Sequence, residues 1–200
     1  EAELAWSRDG KHILFVTDRR AAPWFSTPAE DNDLCAVSPD LSEATEGDAM
    51  RVVADIAGPI AQFAEGPDGR IVVVGGIRQT QPNTYEANDL LLFSGPWPHG
   101  SPHVLTEGLD LHVGEGVGSD QHPPRGGGAM PLGFASHGRS VVFVHARRGA
   151  GHLALCDLAT GKVGELTGND TEVIAGSVSV DGRRVALTLS SLTTPGDLHV

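Results

Sequence analysis

The sequence predicts an all-β protein built from repeated antiparallel sheets, and two observations support this. First, a polar-Gly turn followed by an apolar run occurs four times, as "SRDGKHILFVT", "GPDGRIVVVGG", "ASHGRSVVFVH" and "SVDGRRVALTL". Asp-Gly between apolar runs is a strong hairpin signal, because Gly tolerates the positive φ of such turns. Second, no segment keeps apolar residues at helical spacing, whereas 26 Gly and 13 Pro interrupt the chain throughout.

Each copy of the pattern contains further strand-like elements in a fixed order. A short strand candidate precedes every turn, at residues 4–6, 60–63, 132–135 and 174–180. A second element follows the turn, as "DNDLCAV", "ANDLLLF", "AGHLALCDL" and "PGDLHV". A third element, "MRVVAD", "HVLTEG" or "VGELTG", closes the first three copies. Each complete copy is therefore predicted to be a meander of four strands, and the fourth copy to contain only the first strands.

Repeated four-stranded meanders are typical of a β-propeller, in which each copy is one blade. The turns at Asp9, Asp68, His137 and Asp181 are separated by 59, 69 and 44 residues. We expect blades at about 1–55, 56–108 and 109–168, with an incomplete blade at 169–200. This is a partial ring of about three and a half blades, whereas closed propellers have about four to eight. A β-sandwich is the structural alternative, but it does not predict the fixed order of turn and Asp-Leu elements.

Charge and cysteine content restrict the classes of partner. The chain has 14 Lys+Arg against 26 Asp+Glu, a net charge of -12, which disfavours binding to nucleic acid and to anionic membranes. No apolar run approaches the roughly 20 residues that span a bilayer. Cys35 and Cys156 each lie in an apolar strand-like run and are predicted to be buried free thiols. Lone reduced cysteines favour a cytoplasmic location.

Three stretches carry a family resemblance. "SVDGRRVALTLSSLTTPGDLHV", "LTEGLDLHVGEGVGSD" and "HLALCDLATGKVGELTGND" resemble the last propeller blades of the prolyl oligopeptidase family of serine peptidases, particularly its acylaminoacyl-peptidase branch. The resemblance covers nearly the whole chain and is most specific from Leu105 to Val200. The third turn departs from the pattern, because His137-Gly138 replaces Asp-Gly.

The resemblance implies a two-domain enzyme. Its propeller caps an α/β-hydrolase domain with a Ser-Asp-His triad and admits only short peptides, N-acylated peptides included. We expect that domain after residue 200, because no Gly-x-Ser-x-Gly occurs here; Ser119 and Ser177 lack the flanking glycines. No catalytic, cofactor-binding or metal-binding residue, and no cofactor, is therefore predicted in this chain. The expected partners are short peptides and the hydrolase domain or remaining blades, either covalently linked or in another chain.

Two other functions remain open. A non-enzymatic TolB-like propeller would act as a scaffold for protein binding. A sugar- or lactone-processing propeller would hold a metal in its channel, and would need inward acidic and His ligands. The nearest such set is predicted to lie in surface loops, because "PHGSPH" cannot form a helix. Its members are His99, His103, Asp110, His112, Glu115, Asp120 and His122.

Long loops are the remaining candidates for contacts with substrate. Ile77–Leu90 and Arg19–Asp33, which includes Trp24 and Phe25, are predicted to be solvated insertions, or rim loops that touch peptide or hydrolase domain. The Gly-rich stretches "GEGVGS" and "RGGGAM" lack the Gly-Lys-Ser/Thr of a phosphate-binding loop and are predicted to be connections.

Overall fold

A computed structural model of the protein describes residues 4–18, 31–40, 50–77, 86–95, 97–117 and 130–200. These ranges contain sixteen β-strands and no α-helix. The strands are β1 Leu4–Trp6, β2 Ile13–Thr17, β3 Asp33–Val37, β4 Met50–Asp55, β5 Ile60–Glu65, β6 Ile71–Gly75, β7 Asp89–Phe93, β8 His103–Val104, β9 His112–Val113, β10 Gly133–Ala135, β11 Ser140–Arg147, β12 Ala150–Asp157, β13 Val163–Glu165, β14 Thr171–Val178, β15 Val185–Ser191 and β16 Asp197–His199.

The strands form four sheets, and within each sheet the strands named here are neighbours in the order of the sequence. Sheet 1 is β1-β2-β3-β4, sheet 2 is β5-β6-β7-β8, sheet 3 is β10-β11-β12-β13 and sheet 4 is β14-β15-β16. Every strand pair whose register is determined is antiparallel. The predicted all-β fold with four-stranded antiparallel sheets is confirmed.

Sheet 3 differs from the simple meander at its first strand. Both β9 and β10 pair with β11, β9 opposite His145 and Ala146, and β10 opposite the stretch from Ser140 to Val142. The sequence between these two short strands contains "QHPPRGGGAM". The place of a first strand in this sheet is therefore shared by two short pieces, β9 and β10.

In the hairpin between β1 and β2, a serine two residues before Asp9 takes part in the turn. Asp9 Oδ1 accepts hydrogen bonds from the Ser7 hydroxyl (2.7 Å) and from the Lys11 N–H (3.0 Å). Ser7 Oγ in turn accepts the N–H of His12 (2.9 Å). These bonds to the ionised form, the Ser7 hydroxyl first, lower the pKa of Asp9.

The hairpin between β14 and β15 repeats this network. The Ser179 hydroxyl donates to Asp181 Oδ1 (2.6 Å), and Ser179 Oγ accepts the N–H of Arg184 (3.0 Å). The turn of sheet 3 uses backbone conformation instead, since Ser136 and His137 both have positive φ (51° and 58°). His137 therefore adopts the left-handed conformation, in the position where the other copies have Asp.

The recurring Asp-Leu pair has an equally local explanation. The N–H of Leu90 donates to Thr106 Oγ1 (3.0 Å), and the Thr106 hydroxyl donates to Asp89 Oδ1 (2.6 Å). In sheet 3 the N–H of Leu153 donates to Thr167 Oγ1 (3.0 Å) in the same way. In sheets 2 and 3, this leucine thus binds the threonine of the "LT" that closes the repeat.

Replacing Thr106 by Val is expected to lower the free energy of unfolding by about 2 kcal/mol, because it removes two hydrogen bonds and leaves the buried N–H of Leu90 unpaired. Thr167→Val is the matched control, since it removes one such bond and should cost about 1 kcal/mol. Urea unfolding of both variants checks the difference. Equal losses would contradict this role of Thr106.

The chain divides into two compact units, each with its own core. The first unit is Glu1–Ala87 with Leu91–Val104, and the second is Asn88–Leu90 with Leu105–Val200. The first core joins sheets 1 and 2 through Leu14, Leu34, Ala36, Val53, Ala54, Ile56, Ile60, Phe63, Ile71, Val73, Leu91 and Phe93. The second core joins sheets 3 and 4 through Ala135, Val142, Val144, Leu153, Val173 and Leu187.

Candidate functional site

A cleft in the first unit is the main candidate for a binding site. Its volume is about 480 Å³. Two hairpins and the turn between β7 and β8 surround it. The lining residues are Asp9, His12, Glu65, Asp68, Gly69, Gly95 and Trp97.

The repeated hairpins place these side chains. The N–H of Arg8, in the first hairpin, donates to Glu65 Oε2 (2.6 Å) at the end of β5, so the two hairpins are joined at the cleft. The ring of His12 packs edge-on to the indole of Trp97, with ring centroids 5.5 Å apart. Trp97 also packs against the core of sheets 1 and 2. The aromatic wall is therefore fixed by the same core that holds the sheets together.

The chemistry of the cleft is that of a binding surface. Its described lining has three carboxylates and no Lys or Arg side chain, although Arg70 Nε pairs with Asp68 Oδ2 (2.7 Å) from outside the lining. Carboxylates beside an indole favour cations. The described lining includes no Ser, Thr or Cys that could act as a nucleophile. The described lining can bind polar or cationic groups.

A second polar cluster lies on one face of sheet 3. His145 of β11 is directly opposite His152 of β12, with ring centroids 5.3 Å apart. Glu165 of β13 reaches both rings, at 3.8 Å from His145 Nε2 and 4.0 Å from His152 Nδ1. Arg147 Nη1 lies 3.5 Å from the same carboxylate. Both histidines are almost completely buried.

The environment of His145 favours its neutral form. Burial lowers the pKa of His145, the positive charge of a protonated His152 would lower it further, and the Glu165 carboxylate opposes the shift. Neither ring nitrogen of His145 has a hydrogen-bond partner, and neither does Nδ1 of His152. Across the part of the chain that the structure describes, no group of three or more His, Cys, Asp or Glu side chains could hold a metal ion.

Acidification is therefore expected to destabilise the chain through His145. Its pKa in the fold lies below its ordinary value of 6.5, so the unfolded chain binds the proton first. The contribution of neutral His145 to the free energy of unfolding is fully present above about pH 6.5, and it decreases as the pH falls from there towards the lowered pKa of the folded chain. Urea unfolding at pH 7.5 and 5.5 should show that the unchanged chain loses free energy of unfolding at the lower pH. This loss should be smaller in His145→Leu, whereas the control variant His112→Leu, at an exposed position, should show the same loss as the unchanged chain. An identical loss in His145→Leu would refute this assignment.

Among the described residues, the histidines that the sequence singles out belong to no group that could hold a metal ion. His103 and His112 are exposed on β8 and β9. His99 differs from the predicted surface position, because it is half-buried, its N–H donates to the carbonyl of Val53 (2.9 Å) and its ring packs against Phe93. Burial lowers its pKa. Residues 120 and 122 lie outside the described residues.

The other candidates are placed only in part. Ser177 is exposed within β14, which is not a strand-to-helix turn, and Ser119 lies outside the described residues. The centres of the two long loops also lie outside the described residues. They are residues 19–30, which include Trp24 and Phe25, and residues 78–85. Cys35 and Cys156 are buried free thiols, as predicted. Burial raises the pKa of both to about 11, so they stay protonated and poorly reactive.

Comparisons with solved structures identify the architecture. The chain matches the β-propeller domain of the Trilobed protease from Pyrococcus furiosus over 98% of its length, with 16% identity and a TM-score of 0.53. The chain folds as β-propeller blades. The propeller also matches a structure assigned as TolB from Agrobacterium tumefaciens (98% of this chain, 17% identity, TM-score 0.61) and the acylaminoacyl peptidase of Pyrococcus horikoshii (98% of this chain, 12% identity, TM-score 0.61).

The propeller matched here is only a part of each of those chains. It spans 63% of the Trilobed protease domain, 56% of the TolB structure and 25% of the acylaminoacyl peptidase. No family model and no curated protein matches the sequence. No helix among the described residues of the propeller is long and apolar enough to cross a membrane.

Proposed function

We propose that this chain is the propeller portion of a serine peptidase of the prolyl oligopeptidase family, related to acylaminoacyl peptidases. Its role is to gate access and select short peptides, N-acylated peptides included, for a Ser-Asp-His hydrolase domain outside these 200 residues. The observation that carries the proposal is that similarity in fold and similarity in sequence point to the same branch of peptidases. The fold resembles a known acylaminoacyl peptidase, and the segment "TTPGDLHV" with its Asp-Gly hairpin resembles the same branch in sequence.

The chemistry of the described residues supports a role in positioning. The cleft of the first unit supplies carboxylates and an indole that can contact a peptide. Both thiols are buried and reduced, which supports a cytoplasmic location.

A non-enzymatic, TolB-like scaffold is the second candidate. It is favoured by the TolB structure, whose TM-score of 0.61 equals that of the acylaminoacyl peptidase. Both candidates share the propeller, and they differ in whether a hydrolase domain accompanies it.

Peptide hydrolysis by the complete gene product tests the proposal. We expect cleavage of N-acetyl-alanine p-nitroanilide and of peptides up to roughly the size that a propeller pore admits, with kcat/KM falling sharply for longer chains. The 200-residue chain alone should cleave none of them. Hydrolysis by the 200 residues alone would refute the assigned role, and an inactive complete product would favour the scaffold.

A further inference from the structure

The cleft of the first unit has the size and the walls of a ligand pocket. Its volume of about 480 Å³ falls within the range of roughly 300 to 1,000 Å³ that is typical of small-ligand sites. Its described lining combines an indole, an imidazole and three carboxylates, from Trp97, His12, Asp9, Glu65 and Asp68. A concave shape and an aromatic wall occur here together with negative charge, so the cleft can enclose a cationic group as well as attract it.

Two of the three carboxylates are only partly satisfied by the protein itself. Asp9 Oδ1 accepts the Ser7 hydroxyl and the N–H of Lys11. Glu65 Oε2 accepts the N–H of Arg8. Within the described ranges, Asp9 Oδ2 and Glu65 Oε1 accept no hydrogen bond, and neither carboxylate forms an ion pair. Two negative groups from two different hairpins therefore keep accepting oxygen atoms for a ligand.

The third carboxylate, Asp68, is already paired. Arg70 donates from Nε to Asp68 Oδ2 (2.7 Å) and from its backbone N–H to Asp68 Oδ1 (3.3 Å). Asp68 therefore contributes little net charge to the cleft, and the negative charge that a ligand meets comes from Asp9 and Glu65.

The aromatic wall is fixed before any ligand binds. The indole of Trp97 packs against the core of sheets 1 and 2, and the ring of His12 contacts it at an interplanar angle of 68°. Trp97 is only half-buried, so part of the indole remains open to the cleft. A wall that needs no ordering lowers the entropy cost of binding.

We propose that this cleft binds the guanidinium group of an arginine side chain in a peptide. A guanidinium is planar and stacks on an indole, and its N–H groups form a fork that fits carboxylate oxygens, whereas a lysine ammonium is a point charge. Trp97 is the stacking surface, and Asp9 Oδ2 and Glu65 Oε1 are the acceptors. The inference rests on the proposed function for the role of the peptide as a substrate, but the binding itself requires no peptidase activity.

Binding of two peptides to the complete gene product tests the inference. The probes are acetyl-Gly-Arg-Gly-amide and its neutral analogue acetyl-Gly-citrulline-Gly-amide, each titrated by saturation-transfer difference NMR. We expect the citrulline peptide to bind about tenfold more weakly, because it has nearly the same shape but no positive charge. Equal dissociation constants, or no binding of the arginine peptide, would overturn the proposal. Tighter binding of acetyl-Gly-Lys-Gly-amide would overturn the assignment to guanidinium.

Three variants locate the binding in the cleft. Glu65→Gln keeps an oxygen that can accept the N–H of Arg8 but removes the charge, so it should weaken binding of the arginine peptide about tenfold and leave the citrulline peptide nearly unchanged. Trp97→Leu removes the stacking surface and should weaken binding about threefold. Glu107→Gln removes an exposed carboxylate in the second unit and is the matched control, which should bind like the unchanged protein.

The outcomes separate this inference from the proposed function. Binding that depends on Glu65, in a complete product that cleaves no peptide, would support the guanidinium site while removing the proposed function. A product that cleaves peptides, but whose Glu65→Gln variant binds the arginine peptide as tightly as the unchanged protein, would overturn the inference and leave the proposed function standing. An equal loss in Glu107→Gln would also overturn it, since the effect would then be one of net charge.

Discussion

Gly182→Ala is expected to destabilise the chain by about 3 kcal/mol or more. Gly182 has a φ of +64°, which already disfavours a Cβ atom. That Cβ would also lie 2.5 Å from the carbonyl oxygen of Phe134 and 2.9 Å from the Cα of Ala135. Both atoms belong to the backbone of β10, which is fixed by its pairing with β11, so the strain cannot be relieved by rotating a side chain.

Gly10→Ala is the matched control for this substitution. Gly10 occupies the same position of the first hairpin, with a φ of +70°, but no atom lies within 4 Å of its added Cβ. Its loss should be limited to the backbone term of about 1 kcal/mol. Urea unfolding of both variants measures the difference. Equal losses would show that the hairpin of sheet 4 is not packed against β10 as described.

Leu34→Ala is expected to cost about 2 to 5 kcal/mol, whereas Leu4→Ala in the 200-residue chain should cost less than about 0.5 kcal/mol. Both residues lie in sheet 1, but Leu34 is 0% exposed on the face that packs against sheet 2, and Leu4 is 68% exposed on the other. The first substitution opens a cavity between two sheets, and the second removes surface that water already contacts.

The same pair of variants gives a second result in the complete gene product. If a further blade covers the face of Leu4, then Leu4→Ala should become several-fold more costly there, while the cost of Leu34→Ala should not change. Thermal or urea unfolding in both contexts checks this. A Leu4→Ala cost as large as that of Leu34→Ala in the 200-residue chain alone would contradict the exposure of that face.

The local parts of the fold could be predicted because their causes are local. Ser7 and Asp9 hydrogen-bond within one hairpin, and Asp89 binds Thr106, which lies near it through the strand pairing. These short-range hydrogen bonds recur with the sequence, so four copies of the turn, each followed by an Asp-Leu or His-Leu pair, indicated four sheets. The divided first strand of sheet 3 was not predicted, since "QHPPRGGGAM" indicated only a connection.

The candidate sites depend on contacts that a linear pattern does not contain. The cleft forms because two hairpins, whose turns are 59 residues apart, contact each other through Arg8 and Glu65. No sequence motif indicates this contact. The buried pair of His145 and His152 did have a signal. The two-residue loop of Arg148 and Gly149, both with positive φ, fixes the register of β11 and β12, so that residues equidistant from the loop face each other.

Labelling the complete gene product with a fluorophosphonate tests the central claim most directly, because this reagent reacts with serines activated by a neighbouring base. The account predicts one labelled serine within a Gly-x-Ser-x-Gly sequence outside residues 1–200, and loss of peptide hydrolysis on labelling. A folded complete product that contains further blades, takes up no label and cleaves no peptide would contradict the account and establish a propeller scaffold instead.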